Sequence, residues 1–286
     1  MLGIFGGTGL YQLDQVTILD RIRVETPFGN PSGSVMIGRI GSTQLAFLAR
    51  HGEQHSILPH EINYRANIWA LKSIGVRQVL SVSAVGSLSL MIEPGHFVFP
   101  DQYLDFTKGK REQTFFGDGL VGHISTAKPV CSNLSKSLFE IGLKMTADFP
   151  DLKFHNKANY ACVEGPRLGT QAESNFLKSS GAGLVGMTNI PEVFLAREAQ
   201  LCYSTIAVVT DYDSWHEDPD QHASVEMVIA RYKQSLKHVQ HFISKLISEV
   251  PVTADCECRH ALKSAILTPE INWTERHRAL LKVLRE

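Results

Sequence analysis

Apolar runs alternate with amphipathic segments along most of the chain. Seven runs rich in Val, Ile, Leu and Phe have the length of buried strands, and several precede turn residues and then apolar positions at helical spacing. The predicted strands are residues 2–5, 44–48, 78–85, 97–99, 160–163, 183–187 and 203–209. The predicted helices are residues 61–73, 191–199 (with Asn189 as a cap), 224–249 and 273–284. This order predicts βα units around a parallel or mixed sheet, hence an α/β fold.

The chain reads as a single domain. No Ser/Gly-rich linker or repeat divides its 286 residues, and an apolar fraction of 43% can supply a full core. We expect residues 1–250 to form the domain and residues 251–286 to form a C-terminal helical extension packed on it. A net charge of −1 provides no basic field for nucleic acid or for a membrane surface, which favours a small-molecule partner. The N-terminus does not resemble a signal peptide, so we expect a cytoplasmic protein.

The five cysteines do not form a recognisable motif. They are odd in number and lack CxxC spacing, which argues against a disulfide scaffold and against a zinc site. Cys256 and Cys258 are the one close pair, and two ligands do not complete a tetrahedral site. The sequence therefore predicts reduced thiols and an ordinary exposed segment at residues 256–258.

Two carboxylates, Asp211 and Asp213, follow the predicted buried strand 203–209. Ligands of open α/β sheets gather outside the carboxyl ends of strands. If strand geometry continues, residues i and i+2 point to one side, so both carboxylates face one cavity and the pKa of at least one of them rises. A protonated carboxylic acid can then act as a general acid. The alternative is a solvated acidic turn.

Hydrogen-bond donors follow four other predicted strands. The segment Gly6-Gly-Thr-Gly9 allows close backbone approach to an anion, and Arg50 adds a fork of donors suited to phosphate. The other polar or small residues at these strand ends are Thr8, His51, Ser83, Ala84 and Thr188. Each segment alone is compatible with a simple turn, but together they predict a site for inorganic phosphate, whose charge requires several converging donors.

Seven short motifs, taken in order, resemble the 5′-methylthioadenosine phosphorylase branch of the purine nucleoside phosphorylase family. They are Gly6-Gly-Thr-Gly9, Glu25-Thr-Pro-Phe-Gly29, Leu48-Ala-Arg-His-Gly52, Asn63-Tyr-Arg-Ala-Asn-Ile-Trp-Ala-Leu71, Glu164-Gly-Pro-Arg167, Met187-Thr-Asn-Ile-Pro-Glu192 and Thr210-Asp-Tyr-Asp213. The resemblance covers about residues 1–245. It implies a mixed sheet partly closed into a barrel and surrounded by helices, usually assembled as a homotrimer.

The resemblance also implies the reaction. Phosphate attacks C1′ of a purine nucleoside, releasing the base and a ribose 1-phosphate, in purine and methionine salvage. No metal and no organic cofactor are implied, because inorganic phosphate is a co-substrate. By position, phosphate would be bound by Thr8, Arg50, His51, Ser83, Ala84 and Thr188. Met187 would lie under the sugar, and Asp211, Tyr212 and Asp213 would meet the purine, with Asp211 as the N7 proton donor or the two aspartates in reversed roles.

Substrate choice depends on the aspartate pair. Family members that act on 6-oxopurines commonly carry Asn there, because a 6-carbonyl needs a donor where an amino group needs an acceptor. Asp-Tyr-Asp favours 6-aminopurines, chiefly S-methyl-5′-thioadenosine, over S-methyl-5′-thioinosine and other 6-oxopurine nucleosides. Gly169 near the base and Val225 at the 5′-methylthio pocket are the expected specificity residues.

Two other functions remain as alternatives. Gly6–Gly9 could open a dinucleotide site of an NAD-dependent oxidoreductase, but GxGxxG is absent and no acidic residue clearly ends a second strand. A non-catalytic nucleoside-binding protein is disfavoured because both the phosphate donors and the acid pair are present.

Overall fold

The computed structural model describes residues 1–7, 16–249 and 256–286. Thr8 and Gly9 of the predicted glycine-rich turn and the predicted boundary at residues 250 and 251 lie outside this part of the chain. The described residues form eleven strands: β1 (Leu2–Gly6), β2 (Thr17–Ile22), β3 (Val35–Ile40), β4 (Thr43–Ala49), β5 (Gln78–Ser87), β6 (Phe97–Val98), β7 (Gln102–Phe106), β8 (Phe154–His155), β9 (Asn159–Val163), β10 (Leu184–Gly186) and β11 (Cys202–Asp211). They also form six α-helices: α1 (Tyr64–Ser73), α2 (Ser132–Met145), α3 (Gln171–Ser179), α4 (Asn189–Glu198), α5 (Val225–Glu249) and α6 (Glu275–Arg285).

One mixed sheet organises the described residues, which confirms the predicted α/β fold. Its main order is β2-β3-β4-β1-β5-β10-β9-β7, and β11 pairs with the other edge of β5 and with β6. The strands β1, β4, β5 and β11 run parallel, whereas β10 is antiparallel to β5. All ten residues of β5 and all ten of β11 are buried or nearly so, because helices cover both faces of the sheet. Closure into a barrel stays a prediction.

All seven predicted strands exist, with small shifts at their ends. The strand predicted at 183–187 is shorter, because Met187 leaves the sheet after Gly186. Helix α1 starts at Tyr64 rather than at Glu61, since the Asn63 side chain accepts a hydrogen bond from the Ala66 N–H and caps the helix there. Asn189 does not cap α4 as predicted, because its side chain is bonded to the sheet instead.

The expectation of an exposed segment at Cys256 and Cys258 is wrong. Both side chains are buried, and they pack in the core cluster formed by α2, α5 and β11. The described C-terminal residues also reach the other face of the sheet, where Leu281 and Leu284 of α6 join the core around α1. Within the described residues, no helix combines the length and apolar character needed to cross a membrane.

Candidate functional site

The carboxyl ends of β1, β4 and β5 bring the predicted phosphate-binding segments together. Gly6 of β1 is paired with Ala49 of β4, and the Arg50 N–H donates to the Gly6 carbonyl at 3.1 Å. Phe5 is in register with Ser81 of β5, so Ser83 lies two residues further along. The backbone therefore aligns the end of β1 at Gly6, Arg50 and Ser83 at one edge, as the sequence predicts for parallel strands.

Arg50 is buried and held by a carboxylate that the sequence analysis did not identify. Its Nε and Nη2 donate to the two oxygens of Glu192 at 2.6 and 2.9 Å, and both side chains are at most 2% exposed. Further bonds reach Ser81 Oγ at 2.7 Å and the Val82 carbonyl at 3.1 Å. Burial opposes the charged form, but Glu192 outweighs it and raises the pKa of Arg50. Four of the five guanidinium N–H groups are used, which leaves one for a ligand.

His51 is a neutral side chain with a fixed ring. Burial, together with the nearby Arg50, lowers the pKa of His51 to about 4. Its Nδ1 lies 2.9 Å from the Ile57 carbonyl, so Nδ1 carries the proton and donates it. The other ring nitrogen, Nε2, is then an acceptor. The ring can accept the O–H of monohydrogen phosphate, but it does not offer the extra donor that the sequence analysis expected.

Ser83 is positioned by a buried polar network. Its Oγ donates to Asn189 Oδ1 at 3.3 Å, and Asn189 is fully buried. The Asn189 amide nitrogen donates to Thr205 Oγ1 at 2.6 Å and to Tyr103 Oη at 3.3 Å. A buried Asn must fill its hydrogen bonds within the protein, so these contacts fix the rotamers of all four groups. Asn189 thus supports the Ser83 hydroxyl from β7 and β11.

The two other predicted phosphate ligands lie close to this network. Ala84 follows Ser83 on β5 and is half-buried, so it offers backbone atoms to a ligand. Thr188 is buried at the start of α4, and its side chain makes no capping bond to that helix. The Thr188 hydroxyl therefore remains a candidate donor at the same edge of the sheet.

Arg111 holds the segment that contains Met187. Its Nη1 donates to the carbonyls of Met187 and Ile190 at 2.7 and 2.6 Å, and its Nε donates to Glu164 Oε1 at 2.8 Å. Gly165 lies against Met187, because a Cβ at Gly165 would stand 2.6 Å from the Met187 sulfur. One arginine thus connects two of the sequence motifs and fixes the half-buried Met187 side chain between them.

Asp211 and Asp213 meet at the end of β11, although strand geometry stops between them. Asp211 pairs with Gly86 across a bulge, and Asp213 adopts a left-handed backbone with φ of 53°. The Asp213 N–H donates to Asp211 Oδ1 at 2.8 Å, which folds the two residues into a tight turn. Thr210 Oγ1 donates to Asp211 Oδ2 at 2.7 Å, and Ser174 Oγ donates to Asp213 Oδ2.

Both aspartates are buried, so the alternative of a solvated turn is wrong. Asp211 is 3% exposed and Asp213 is 5% exposed. Desolvation raises the pKa of Asp211, and the hydrogen bonds from Thr210 and from the Asp213 N–H only partly offset it. Desolvation also raises the pKa of Asp213 against the hydrogen bond from Ser174. Both pKa values are thus raised, which is the direction that favours a protonated carboxylic acid over a carboxylate.

Gly86 is the point where β5 passes the two carboxylates. A Cβ there would stand 2.9 Å from Asp211 Oδ1 and 3.1 Å from both Asp213 Cβ and Val185 Cγ1. We expect Gly86→Ala to displace the aspartate pair and to lower kcat about 10- to 100-fold, as misplaced catalytic groups do. Gly33→Ala is the matched control, because nothing lies within 4 Å of a Cβ at Gly33. Equal kcat values in steady-state assays of the two variants would contradict this placement.

The predicted specificity residues lie beside the aspartates. A Cβ at Gly169 would stand 3.7 Å from Asp213 Oδ2, so Gly169 borders that carboxylate. Tyr212 is half-buried and stacks on His216 with the ring centroids 5.0 Å apart. Val225 starts α5 and is 61% exposed, and the Ala223 N–H nearby donates to the Asp213 carbonyl at 3.1 Å. The start of α5 is thus attached to the aspartate turn.

Comparison with known proteins identifies the family. The sequence model of the phosphorylase superfamily matches residues 1–248. An S-methyl-5′-thioadenosine phosphorylase from Geobacter sulfurreducens is 44% identical over 268 residues, which are 94% of this chain and 92% of the relative. The chain belongs to the S-methyl-5′-thioadenosine phosphorylase family. A member of the family from Saccharolobus solfataricus is 46% identical over 267 residues, which are 93% of this chain and 97% of the relative.

Solved structures of the family have the same fold. A methylthioadenosine phosphorylase from an antarctic soil metagenomic library matches with a TM-score of 0.89 and 39% identity, covering 99% of this chain and 98% of that one. Methylthioadenosine phosphorylase from Schistosoma mansoni, solved in complex with adenine, matches with a TM-score of 0.82 and 32% identity, covering 99% and 96%.

The sequence analysis did not identify three residues that support the site in this phosphorylase fold. Glu192 and Arg111 are buried charged groups, and Ser174 is a buried hydroxyl group in a short helix. Glu192 did carry a usable signal, because a carboxylate within the apolar segment of α4 requires a buried partner. Arg111 and Ser174 carried none, since their partners are far away in the sequence.

Proposed function

We propose that this protein catalyses the phosphorolysis of S-methyl-5′-thioadenosine to adenine and S-methyl-5-thioribose 1-phosphate. The observation that carries the proposal is that the predicted phosphate donors and the aspartate pair lie along one strand, β5. The donors are at Ser83, beside the Arg50 segment, and the aspartates are at Gly86. These two positions are three residues apart, or about 10 Å along the strand. This span accommodates a ribose ring between a phosphate and a purine base.

The two groups would act on the two halves of one transition state. A phosphate oxygen forms a bond to C1′ while the C1′–N9 bond breaks. The electron pair of the C1′–N9 bond moves into the purine. Asp211, as the protonated acid, delivers its proton to N7 of the departing base. Hydrogen phosphate loses its own proton on forming the sugar phosphate dianion, and that proton restores Asp211 through solvent, which balances the reaction. We propose that it needs no metal and no organic cofactor.

The phosphate side would rely on oriented donors more than on net positive charge. Arg50 is neutralised by Glu192, and His51 is neutral. The remaining Arg50 N–H, the hydroxyl groups of Thr8 and Thr188 and the backbone at Ala84 would supply the hydrogen bonds, and Ser83 would turn its single O–H from Asn189 to phosphate. Such pre-oriented donors stabilise an anion without reorganisation.

Asp213 supports the choice of a 6-aminopurine. The Ser174 hydroxyl donates a hydrogen bond to Asp213 Oδ2. The Asp213 carboxylate has further acceptor sites, and a hydrogen-bond donor on the ligand is complementary to them. The 6-amino group of adenine supplies that donor, whereas a 6-carbonyl would leave two acceptors facing each other. Tyr212 and Gly169 would border the base, and Met187 would lie under the sugar.

We further propose a homotrimer in the cytoplasm, with the start of α5 covered by a neighbouring subunit. Val225 and Ile229 lie one helical turn apart beside the aspartate turn, and they are 61% and 48% exposed. An apolar pair beside a substrate site is suited to a 5′-methylthio group or to a partner chain. Sedimentation equilibrium checks this proposal, with three chains as the expected species.

A substrate panel tests the proposed function. S-methyl-5′-thioadenosine, adenosine, S-methyl-5′-thioinosine and inosine are compared for kcat/KM, each with and without phosphate. We expect phosphate-dependent cleavage with S-methyl-5′-thioadenosine as the best substrate. Preference for either 6-oxopurine would contradict the assignment of Asp213, and activity with none of them would contradict the proposal as a whole.

The pH dependence follows from the raised pKa of Asp211. The acid is active when protonated, so kcat should fall as pH rises through its pKa, which desolvation places above the ordinary aspartate range. The profile is recorded at saturating phosphate, so that ionisation of phosphate does not limit the rate. A rate that increases steadily into the alkaline range would contradict a general-acid role.

A further inference from the structure

Four of the five cysteines form a buried cluster that lies apart from the phosphorylase site. The Sγ atoms of Cys131, Cys202, Cys256 and Cys258 all lie within 4.8 Å of one another. None of the four residues is more than 7% exposed. The fifth, Cys162, is elsewhere in the fold, beside Arg111.

The four thiols come from three separate segments of the chain. Cys131 is the N-cap of α2, and Cys202 is the first residue of β11. Cys256 and Cys258 flank Glu257 at the start of a 3₁₀ turn, where Cys256 has an extended backbone with φ of −157°. The cluster therefore joins the described C-terminal segment to a helix and to a central strand.

The sulfur spacing matches a metal site better than a disulfide. Tetrahedral Zn²⁺ with Zn–S bonds of about 2.3 Å places its sulfurs about 3.8 Å apart. The Sγ atoms of Cys131 and Cys256 are 3.6 Å apart. A disulfide requires about 2.05 Å. Four sulfurs in one compact group, rather than two bonded pairs, are the arrangement of a closed four-ligand site.

The surroundings supply N–H groups and positive charge to this cluster. Arg197 Nη1 lies 3.5 Å from Cys258 Sγ, and the Leu134 N–H donates to Cys131 Sγ at 3.5 Å. Such bonds to sulfur are typical partners of metal-bound thiolates. A Zn²⁺ tetrathiolate carries a charge of −2, which the Arg197 guanidinium group would offset in part.

We propose that Cys131, Cys202, Cys256 and Cys258 bind one structural Zn²⁺. Each thiol loses its proton on binding, so one Zn²⁺ replaces four protons and no oxidant or reductant is needed. With four protein ligands, the ion has no open position for a substrate, so its role is to fasten the segment at Cys256 and Cys258 to α2 and β11. The site is independent of the phosphorolysis reaction.

Metal analysis of the purified protein is the first test. The protein is prepared under reducing conditions without chelator, and its metal content is measured by mass spectrometry of the elements and of the intact native chain. We expect one zinc per chain, released when a mercurial reagent modifies the thiols. Cys256→Ser should lose the zinc, whereas Cys162→Ser, which replaces a buried cysteine outside the cluster, should retain it.

A second measurement avoids dependence on a variant that fails to fold. The wild-type protein is unfolded in the presence of a chelator and reduced, and the chelator is removed before refolding. Refolding with Co²⁺ should give intense thiolate-to-metal absorption. Refolding with Zn²⁺ should give a higher Tm than refolding without metal. Failure of the refolded, reduced protein to take up either metal would overturn the proposal. So would the finding that the four cysteines form two disulfides in the purified protein and bind no metal after the disulfides are reduced. Iron in place of zinc would overturn the assignment of the metal.

Discussion

Asp211→Asn is expected to lower kcat for S-methyl-5′-thioadenosine at least about 100-fold, the scale of a lost general acid. Asparagine has the shape of aspartic acid, and its carbonyl oxygen can still accept the Asp213 N–H now bonded at 2.8 Å. It cannot transfer a proton to N7. Burial disfavours the charged form of Asp211, so a neutral isostere should not destabilise the fold. Steady-state phosphorolysis at saturating phosphate measures the loss, and Tm measures the fold.

Two comparisons make this result specific. Asp151→Asn changes an exposed aspartate that is not among the proposed site residues, and it should leave kcat unchanged. A 4-nitrophenyl 5-methylthioriboside has a leaving group that needs no proton, so the defect of Asp211→Asn should be much smaller with it. Near-normal turnover of S-methyl-5′-thioadenosine by this variant would refute the assigned role. An equal loss with both substrates would assign Asp211 to binding rather than to proton transfer.

Glu192→Gln is expected to reduce the free energy of unfolding by about 3 kcal/mol, because it leaves the Arg50 charge buried without its counter-ion. Glu192 accepts from Arg50 Nε and Nη2, and also from Ser81 and Tyr203, so one carboxylate organises four donors. The glutamine side chain has a single acceptor oxygen. Loss of the fixed Arg50 orientation should also raise KM for phosphate. Urea unfolding and phosphate titration measure the two effects.

The chain offers a matched control at its surface. Arg167 and Glu173 form a bidentate pair at 2.6 and 2.7 Å, with the same chemistry as the Arg50 pair but with side chains 58% and 47% exposed. Glu173→Gln should lower the free energy of unfolding much less than Glu192→Gln, because solvent screens an exposed ion pair and the glutamine oxygen can still accept the Thr170 N–H that caps α3. If both substitutions cost the same free energy, burial of the Arg50 pair would not be the source of the effect.

Most buried strands of the fold could be predicted from sequence, but β3, in which Val35, Met36 and Ile37 are buried, was missed along with the exposed elements. β5 and β11 are continuous apolar runs, so their length and composition are sufficient. β2 has no buried residue and therefore lacks apolar alternation. α3 buries only Ser174 and Leu177. α2 was missed although Leu134, Leu138, Ile141 and Met145 follow helical spacing, so its signal was present.

Local motifs identified the site, and long-range partners completed it. The aspartate pair could be found because it directly follows a buried strand. The partners of Glu192 and Arg111 could not be identified, since Arg50 and Glu164 lie 142 and 53 residues away in the sequence. The cysteines show the same limit, because spacing along the chain separates Cys131 from Cys256 whereas the fold brings their sulfurs to 3.6 Å.

The most direct test of the account is product analysis of one turnover mixture. S-methyl-5′-thioadenosine is incubated with the protein and phosphate, and adenine is measured by chromatography while the sugar product is followed by phosphorus NMR. Joint action of the donors near Ser83 and of Asp211 predicts adenine and S-methyl-5-thioribose 1-phosphate in equal amounts, with no adenine when phosphate is omitted. Adenine release at the same rate without phosphate would contradict the account, because the reaction would then be hydrolysis.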